Sequence, residues 1–202
     1  MTFCGVGDGF VSTWYDQSGN ANNATQATTT AQPKIVDAGA LVVGGLDFDG
    51  VDDALDAAGV VTANGAKDTT IIVGKVSGAD QIFIDNLSTL DPHAIGSSSD
   101  GNFQLYADLL NDRFYGTADA NENLHFVYKA DVSNQSTGSL NGVVDTLNAG
   151  TDGYTGGIKI GMYRTGAGPL DGTINELIVY ASDQSANRTG IETNINAAYT
   201  IY

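Results

Sequence analysis

The chain has 202 residues and a formal net charge of −16, from 24 acidic against 8 basic side chains. Such a surface repels nucleic acid and anionic membranes, and no apolar run approaches the ~20 residues of a membrane span. The single cysteine, Cys4, excludes an internal disulfide, and the length suits one domain over residues 1–202.

Of the acids, 21 are Asp and three are Glu, a bias toward turns and cation sites and away from helices. Gly accounts for 26 residues, and Gly, Asn, Asp, Thr and Ser fill the gaps between short apolar runs. This is the composition of an all-β protein with many turns. Residues 1–10 carry neither the basic start nor the apolar stretch of a signal peptide. Cys4 reads as a small buried residue, with no His near it in sequence.

The first run, Phe10-Val11-Ser12-Thr13-Trp14-Tyr15, ends abruptly in Asp16-Gln17-Ser18-Gly19-Asn20-Ala21-Asn22-Asn23. A strand entering so many turn formers presents several side-chain oxygens at one point. They serve a hard cation or simply close the turn. Further strands are predicted at 33–36, 40–43, 46–48, 54–56, 69–76, 81–84, 103–106, 113–117, 124–130, 135–140, 143–147, 157–162 and 172–180. Asp49-Gly50 marks a tight connection, and Gly96–Gly101 a hairpin loop. Asn141-Gly142 is the pair that a two-residue hairpin turn demands.

One helix is predicted, at the C-terminus over residues ~185–198. Ser182, Asp183 and Ser185 offer capping oxygens, and Ile191, Ile195, Ala198 and Tyr202 form one apolar stripe. Many short strands and one helix make a β-sandwich or barrel.

Five motifs occur in order: Trp14-Tyr15-Asp16-Gln17-Ser18-Gly19-Asn20, Gln32-Pro33-Lys34-Ile35-Val36, Phe48-Asp49-Gly50-Val51-Asp52-Asp53, Leu140-Asn141-Gly142, and Asp171-Gly172-Thr173-Ile174-Asn175-Glu176 running on to Tyr180. Together they resemble the concanavalin A-like (laminin G-like) jelly-roll domains found in bacteriophage virion and tail proteins. The first motif is also similar to one in α-L-arabinofuranosidase catalytic domains. The phage relatives carry further strand-forming sequence before the segment that starts near Cys4, so the chain reads as an excised domain or a shortened natural version. The resemblance implies an all-β, concanavalin A-like β-sandwich jelly roll with a short C-terminal helix. It also implies a place in a virion or extracellular protein.

Calcium takes six to eight oxygens, so Asp16 and Asn20 in one acid-rich turn and Asp49 and Asp52 in another are its candidate ligands, provided the fold joins the two turns. Sugar binding wants aromatic faces beside hydrogen-bonding groups. The candidates are Tyr163 with Arg164, and Tyr154 with Asp152, all expected in exposed loops. Those loops flank the predicted 157–162 strand and so belong at opposite ends of it.

Catalytic signals are missing. Glucanases of this fold carry a Glu-x-Asp-x-Glu strand, and Asp47-Phe48-Asp49 has no flanking Glu. Glu176 faces a groove or pairs with Arg164 or Arg188. His93 and His125 are isolated, which argues against zinc. The expected role is a non-catalytic carbohydrate-binding or adhesion module, with a glycan and other virion proteins as partners. A purely structural virion domain and an arabinofuranosidase-type hydrolase are the alternatives.

Overall fold

A computed structural model describes residues 4–88, 93–107 and 114–202. The first strands are β1 (Gly9–Phe10), β2 (Thr13–Trp14), β3 (Ala24–Thr25), β4 (Lys34–Asp37), β5 (Ala40–Leu41), β6 (Leu46–Asp49), β7 (Leu55–Ala57) and β8 (Asp68–Val76). There follow β9 (Ile82–Asn86), β10 (His93–Ser97), β11 (Asn102–Ala107), β12 (Phe114–Thr117) and β13 (Asn123–Lys129). The last are β14 (Ser136–Leu140), β15 (Val143–Leu147), β16 (Ile158–Ile160) and β17 (Asp171–Tyr180), before helix α1 (Arg188–Tyr199).

Two antiparallel sheets pack face to face. One runs β1-β4-β6-β17-β8-β13-β14-β15, with β5 added to β4; the other runs β12-β11-β10-β9-β16-β7-β3-β2. This is the jelly-roll β-sandwich that the sequence predicts. Its main core joins Phe48, Ile72, Val127 and Ile174 of the first sheet to Leu55, Phe83, Phe103 and Ile158 of the second.

The first sheet is covered on its outer face too. Ile195 of α1 packs on Ile71, Val73, Leu124, Phe126 and Tyr128. That is why β8 and β13 are buried along almost their whole length: alternate residues face the core and the helix. Ile191 joins this contact as predicted, whereas Tyr202 lies beyond the helix and is exposed. The expected capping by Ser182, Asp183 or Ser185 is not seen: α1 begins after Asn187 with no side-chain cap, and Asp183 Oδ1 instead accepts from the Ser185 N–H at 2.9 Å in the turn before it.

The Asn141-Gly142 hairpin forms as expected, with φ of 50° and 82° and Leu140 opposite Val143. Other expectations need correction. The run 10–15 is not one strand, because the chain crosses from the first sheet at β1 to the second at β2. Asp49-Gly50 likewise leads across the sandwich, from β6 to β7. β3 is too short to show periodicity, and β10 hides because Gly96 and Ser97 read as loop while all five of its residues are buried. Cys4 is half-exposed rather than buried. Arg113, at the start of one predicted strand, lies outside the described residues.

One end of the sandwich is plugged by a buried polar network. Lys129, fully buried, lies 3.4 Å from Asp68 Oδ2 and donates to the carbonyls of Ala66 and Thr151. Thr62 Oγ1 donates to Asp68 at 3.0 Å. Burial lifts the Asp68 carboxyl to about 6 against the opposing pull of Lys129. The His93 ring stacks on Tyr154 at 3.8 Å, with Nε2 4.0 Å from Asp68 Oδ1. Removing one partner of a buried pair leaves an uncompensated charge. Lys129→Met is therefore expected to cost roughly 3–5 kcal/mol in urea denaturation; a loss under about 1 kcal/mol would show that Asp68 finds another partner.

Candidate functional site

β17 has two neighbours along its first half and one along its second. Asp171–Ile174 pair with β6, while the pairing with β8 continues to Tyr180 opposite Thr69. Gly44 and Gly45, at φ of 106° and 88°, turn the chain away where pairing with β6 stops. A Cβ on Gly45 would lie 2.3 Å from the Ile174 carbonyl oxygen, so only glycine passes there. A bulge at Asn175 then re-aims the strand.

The unpaired half of β17 forms one wall of a groove of about 500 Å³. The loop after β2 forms the opposite wall, from Trp14 through Asn22. The floor is apolar: Ala24, Ala57, Ile158 and Ile160 from the second sheet, with Leu177 and Val179. Tyr199 of α1 closes one side.

The loop is rigid by its own hydrogen bonds. Asp16 Oδ1 accepts from the Ser18 N–H at 2.7 Å, and Oδ2 from Ser18 Oγ at 2.8 Å and the Asn22 N–H at 2.9 Å. The Ser18 amide, first among these donors, holds the Asp16 carboxyl below its usual range. Asn23 Oδ1 takes the Asp16 N–H at 2.9 Å. Asn20 Nδ2 donates to Ser18 Oγ at 3.0 Å. These bonds point Tyr15 outward, 66% exposed, at the mouth of the groove.

Asp16 and Asn20 are not joined to Asp49 and Asp52. β7 and β2 run in the same direction through β3, so the Asp16 loop leaves one end of the sheet while the Asp49 turn enters at the other. The expected four-ligand calcium site does not assemble. Asp49 and Asp52 instead meet Asp53, their ligand oxygens within 4.8 Å of one another. Burial first, then the Asp49 charge, raises the Asp53 carboxyl to about 6.

The two candidate sugar-binding loops lie at opposite ends as expected, but the exposure predicted for their residues needs correction. β16 runs antiparallel to β7, so residues 152–157 lie at the Asp16 end and 161–168 at the Asp49 end. Tyr154 is not exposed: it is fully buried, with its hydroxyl 3.2 Å from Thr70 Oγ1. Asp152 beside it is half-buried. Arg164 is a structural partner, holding the fully buried Asp85 at 3.0 Å with its guanidinium and at 2.8 Å with its N–H. Tyr163 is half-buried, with its N–H donated to the Ala167 carbonyl at 2.9 Å. These four residues do not converge on one surface.

Glu176 is not engaged by Arg164 or Arg188. Arg188 pairs with Glu192 at 2.6 Å, and Glu176 lines the groove together with Tyr199, whose hydroxyl pKa is raised by burial and by the Glu176 charge. Asn175, held by Glu122, is beside it. Tyr15 and Asn175 lie within the first and last of the five motifs, yet neither motif marks them as ligand contacts, and Tyr199 lies in none; only the end of the β6 pairing brings them together.

Two stability outcomes follow from these contacts. Asp16→Ala removes three accepted bonds and should lower the melting temperature. Arg164→Ala strands a buried carboxylate and should cost on the order of 3 kcal/mol, so a cost near zero would free Arg164 for a ligand. A third concerns pH. The Asp53 carboxyl, at about 6 in the fold, lies above its ordinary value of about 3.9. The folded state holds that proton more tightly, so this group's contribution is intact below about pH 4 and is lost as pH rises through its folded value. In chelator, Asp53→Asn should melt roughly 2–4 °C above wild type at pH 7.5, and no higher at pH 4.

The chain matches no protein-family model and no curated relative. Among solved structures, it is similar to Trypanosoma rangeli sialidase in complex with sialic acid, with a TM-score of 0.57 and 14% identity. That match covers 90% of this chain and 31% of the sialidase. The same enzyme with 2,3-difluorosialic acid, a covalent intermediate, gives a TM-score of 0.56 at 12% identity, over 85% of this chain and 29% of that one. An alginate lyase of polysaccharide lyase family 7 gives a TM-score of only 0.38 at 10% identity, over 83% of this chain and 81% of that one, a score that carries no weight. The chain thus spans less than a third of the sialidase's length, and the likeness establishes a β-sandwich fold.

Proposed function

We propose that this domain is a non-catalytic carbohydrate-binding module and that its glycan site is the groove between the Trp14–Asn22 loop and the open half of β17. The observation that carries this reading is the groove's composition. The exposed face of Tyr15 stands beside Trp14 and Tyr199, with the amides of Gln17, Asn22 and Asn175 and the carboxylates of Asp16 and Glu176 around an apolar floor. Aromatic faces pack on the apolar faces of sugar rings, and fixed amides and carboxylates take their hydroxyls. The free edge of β17 adds backbone donors and acceptors. The fold neighbour in complex with sialic acid is a sugar-acting protein, which agrees with this reading and supports it only as analogy.

The setting in a virion or extracellular protein, with other virion proteins beside the glycan, rests on the motif resemblance alone. Calcium belongs to the proposal as a structural ligand of Asp49, Asp52 and Asp53, whose three carboxylates offer up to six of the oxygens it takes. Calcium should then raise the melting temperature of wild type and leave Asp53→Asn unmoved.

A glycan array identifies the ligand. Tyr15→Ala should then weaken binding at least tenfold, about 1.4 kcal/mol, with an unchanged melting temperature. Full binding by Tyr15→Ala would place the site elsewhere.

Two carboxylates in one groove also favour the hydrolase alternative. Glycoside hydrolysis needs one carboxyl protonated and the other ionised; the loop around Asp16 keeps that carboxyl ionised, so Glu176 would have to be the acid. No sugar release is expected from arabinoxylan or laminarin. Release abolished by Glu176→Gln would establish the enzyme instead.

A further inference from the structure

Among the described residues, the groove is lined by two carboxylates, Asp16 and Glu176, and by no Lys, Arg or His. Six of the described cations pair with carboxylates outside the groove lining. Lys34 pairs with Asp8 and Asp37, Lys67 with Asp183, Lys129 with Asp68, Lys159 with Asp56, Arg164 with Asp85 and Arg188 with Glu192. Lys75, the remaining described cation, acts on the carboxylates of Asp47 and Glu122. The eighth, Arg113, lies outside the described residues.

Strand alternation enforces the arrangement at the floor. Ile158 and Ile160 face the groove, so Lys159 between them faces away and meets Asp56 at 2.7 Å on the outer surface. Both groove carboxylates keep oxygen lone pairs that accept from hydroxyls, and the amides of Asn22 and Asn175 add donors. Recognition of a carboxylate or sulfate on a sugar calls instead for a guanidinium or ammonium. The described lining has none, and its own two charges sit in the field of a chain with a net charge of −16.

Resting on the carbohydrate-binding reading above, we infer that the groove takes uncharged, hydroxyl-rich glycans and rejects chains bearing uronic acid, sialic acid or sulfate. Charge, not shape, is what discriminates.

The test compares the best neutral oligosaccharide from the array with the same oligosaccharide carrying a uronic acid. Titration calorimetry is run in chelator, so that no metal bridges the two acids. At 10 mM salt the acidic form should bind at least tenfold more weakly. The gap should close in 1 M salt, where the Debye length falls from about 30 Å to about 3 Å. Glu176→Gln should lower the ratio of the two affinities. Equal or tighter binding of the acidic form overturns the inference and leaves the glycan reading standing. A gap unmoved by salt and by Glu176→Gln also overturns it, since shape would then discriminate. Binding of no glycan of either kind removes the glycan reading itself.

Discussion

Strand β17 has a partner on each side for four residues and on one side for the rest. Everything distinctive about this sandwich depends on where that pairing stops. Had β6 run on, its backbone would fill the space that is now the groove, and the Asp16 loop would pack on a closed sheet. Gly44 and Gly45 prevent it, because the chain turns at positive φ against the Ile174 carbonyl where no side chain fits. An edge left open in this way must be solvated, paired or occupied by a ligand.

The groove's walls differ in how they are held. One is a strand anchored by β8 and, beneath it, by α1. The other is a loop with no regular structure, made stiff because Asp16 takes donors from Ser18 and Asn22 and gives its own N–H to Asn23. A loop that satisfies its own polar groups presents Tyr15 at little conformational cost, which is the preorganisation a weak sugar contact needs.

Charge is arranged by scarcity. With 8 bases against 24 acids, nearly every described cation is spent on an ion pair. Two of these pairs, Asp68 with Lys129 and Asp85 with Arg164, hold fully buried carboxylates. The uncompensated acids are left to the surface, the Asp49 turn and the groove.

The sequence by itself determined the class of fold, the Asn141-Gly142 hairpin, the Asp16 turn and the helix at Ile191 and Ile195. These follow from local rules: turn chemistry, period-two alternation and a helical stripe act within a few residues. Only the tertiary structure decided the site. Asp16 and Asp49 look alike in sequence, yet strand direction through β3 sends them to opposite ends. Tyr154 sits between glycine-rich stretches that read as an exposed loop, yet its ring stacks on His93 in the core. Tyr15, Glu176 and Tyr199 come from three distant segments and meet because one strand pairing ends at Ile174. Sheet register and the end of a pairing are set by contacts between segments far apart in the chain, and no local pattern encodes them.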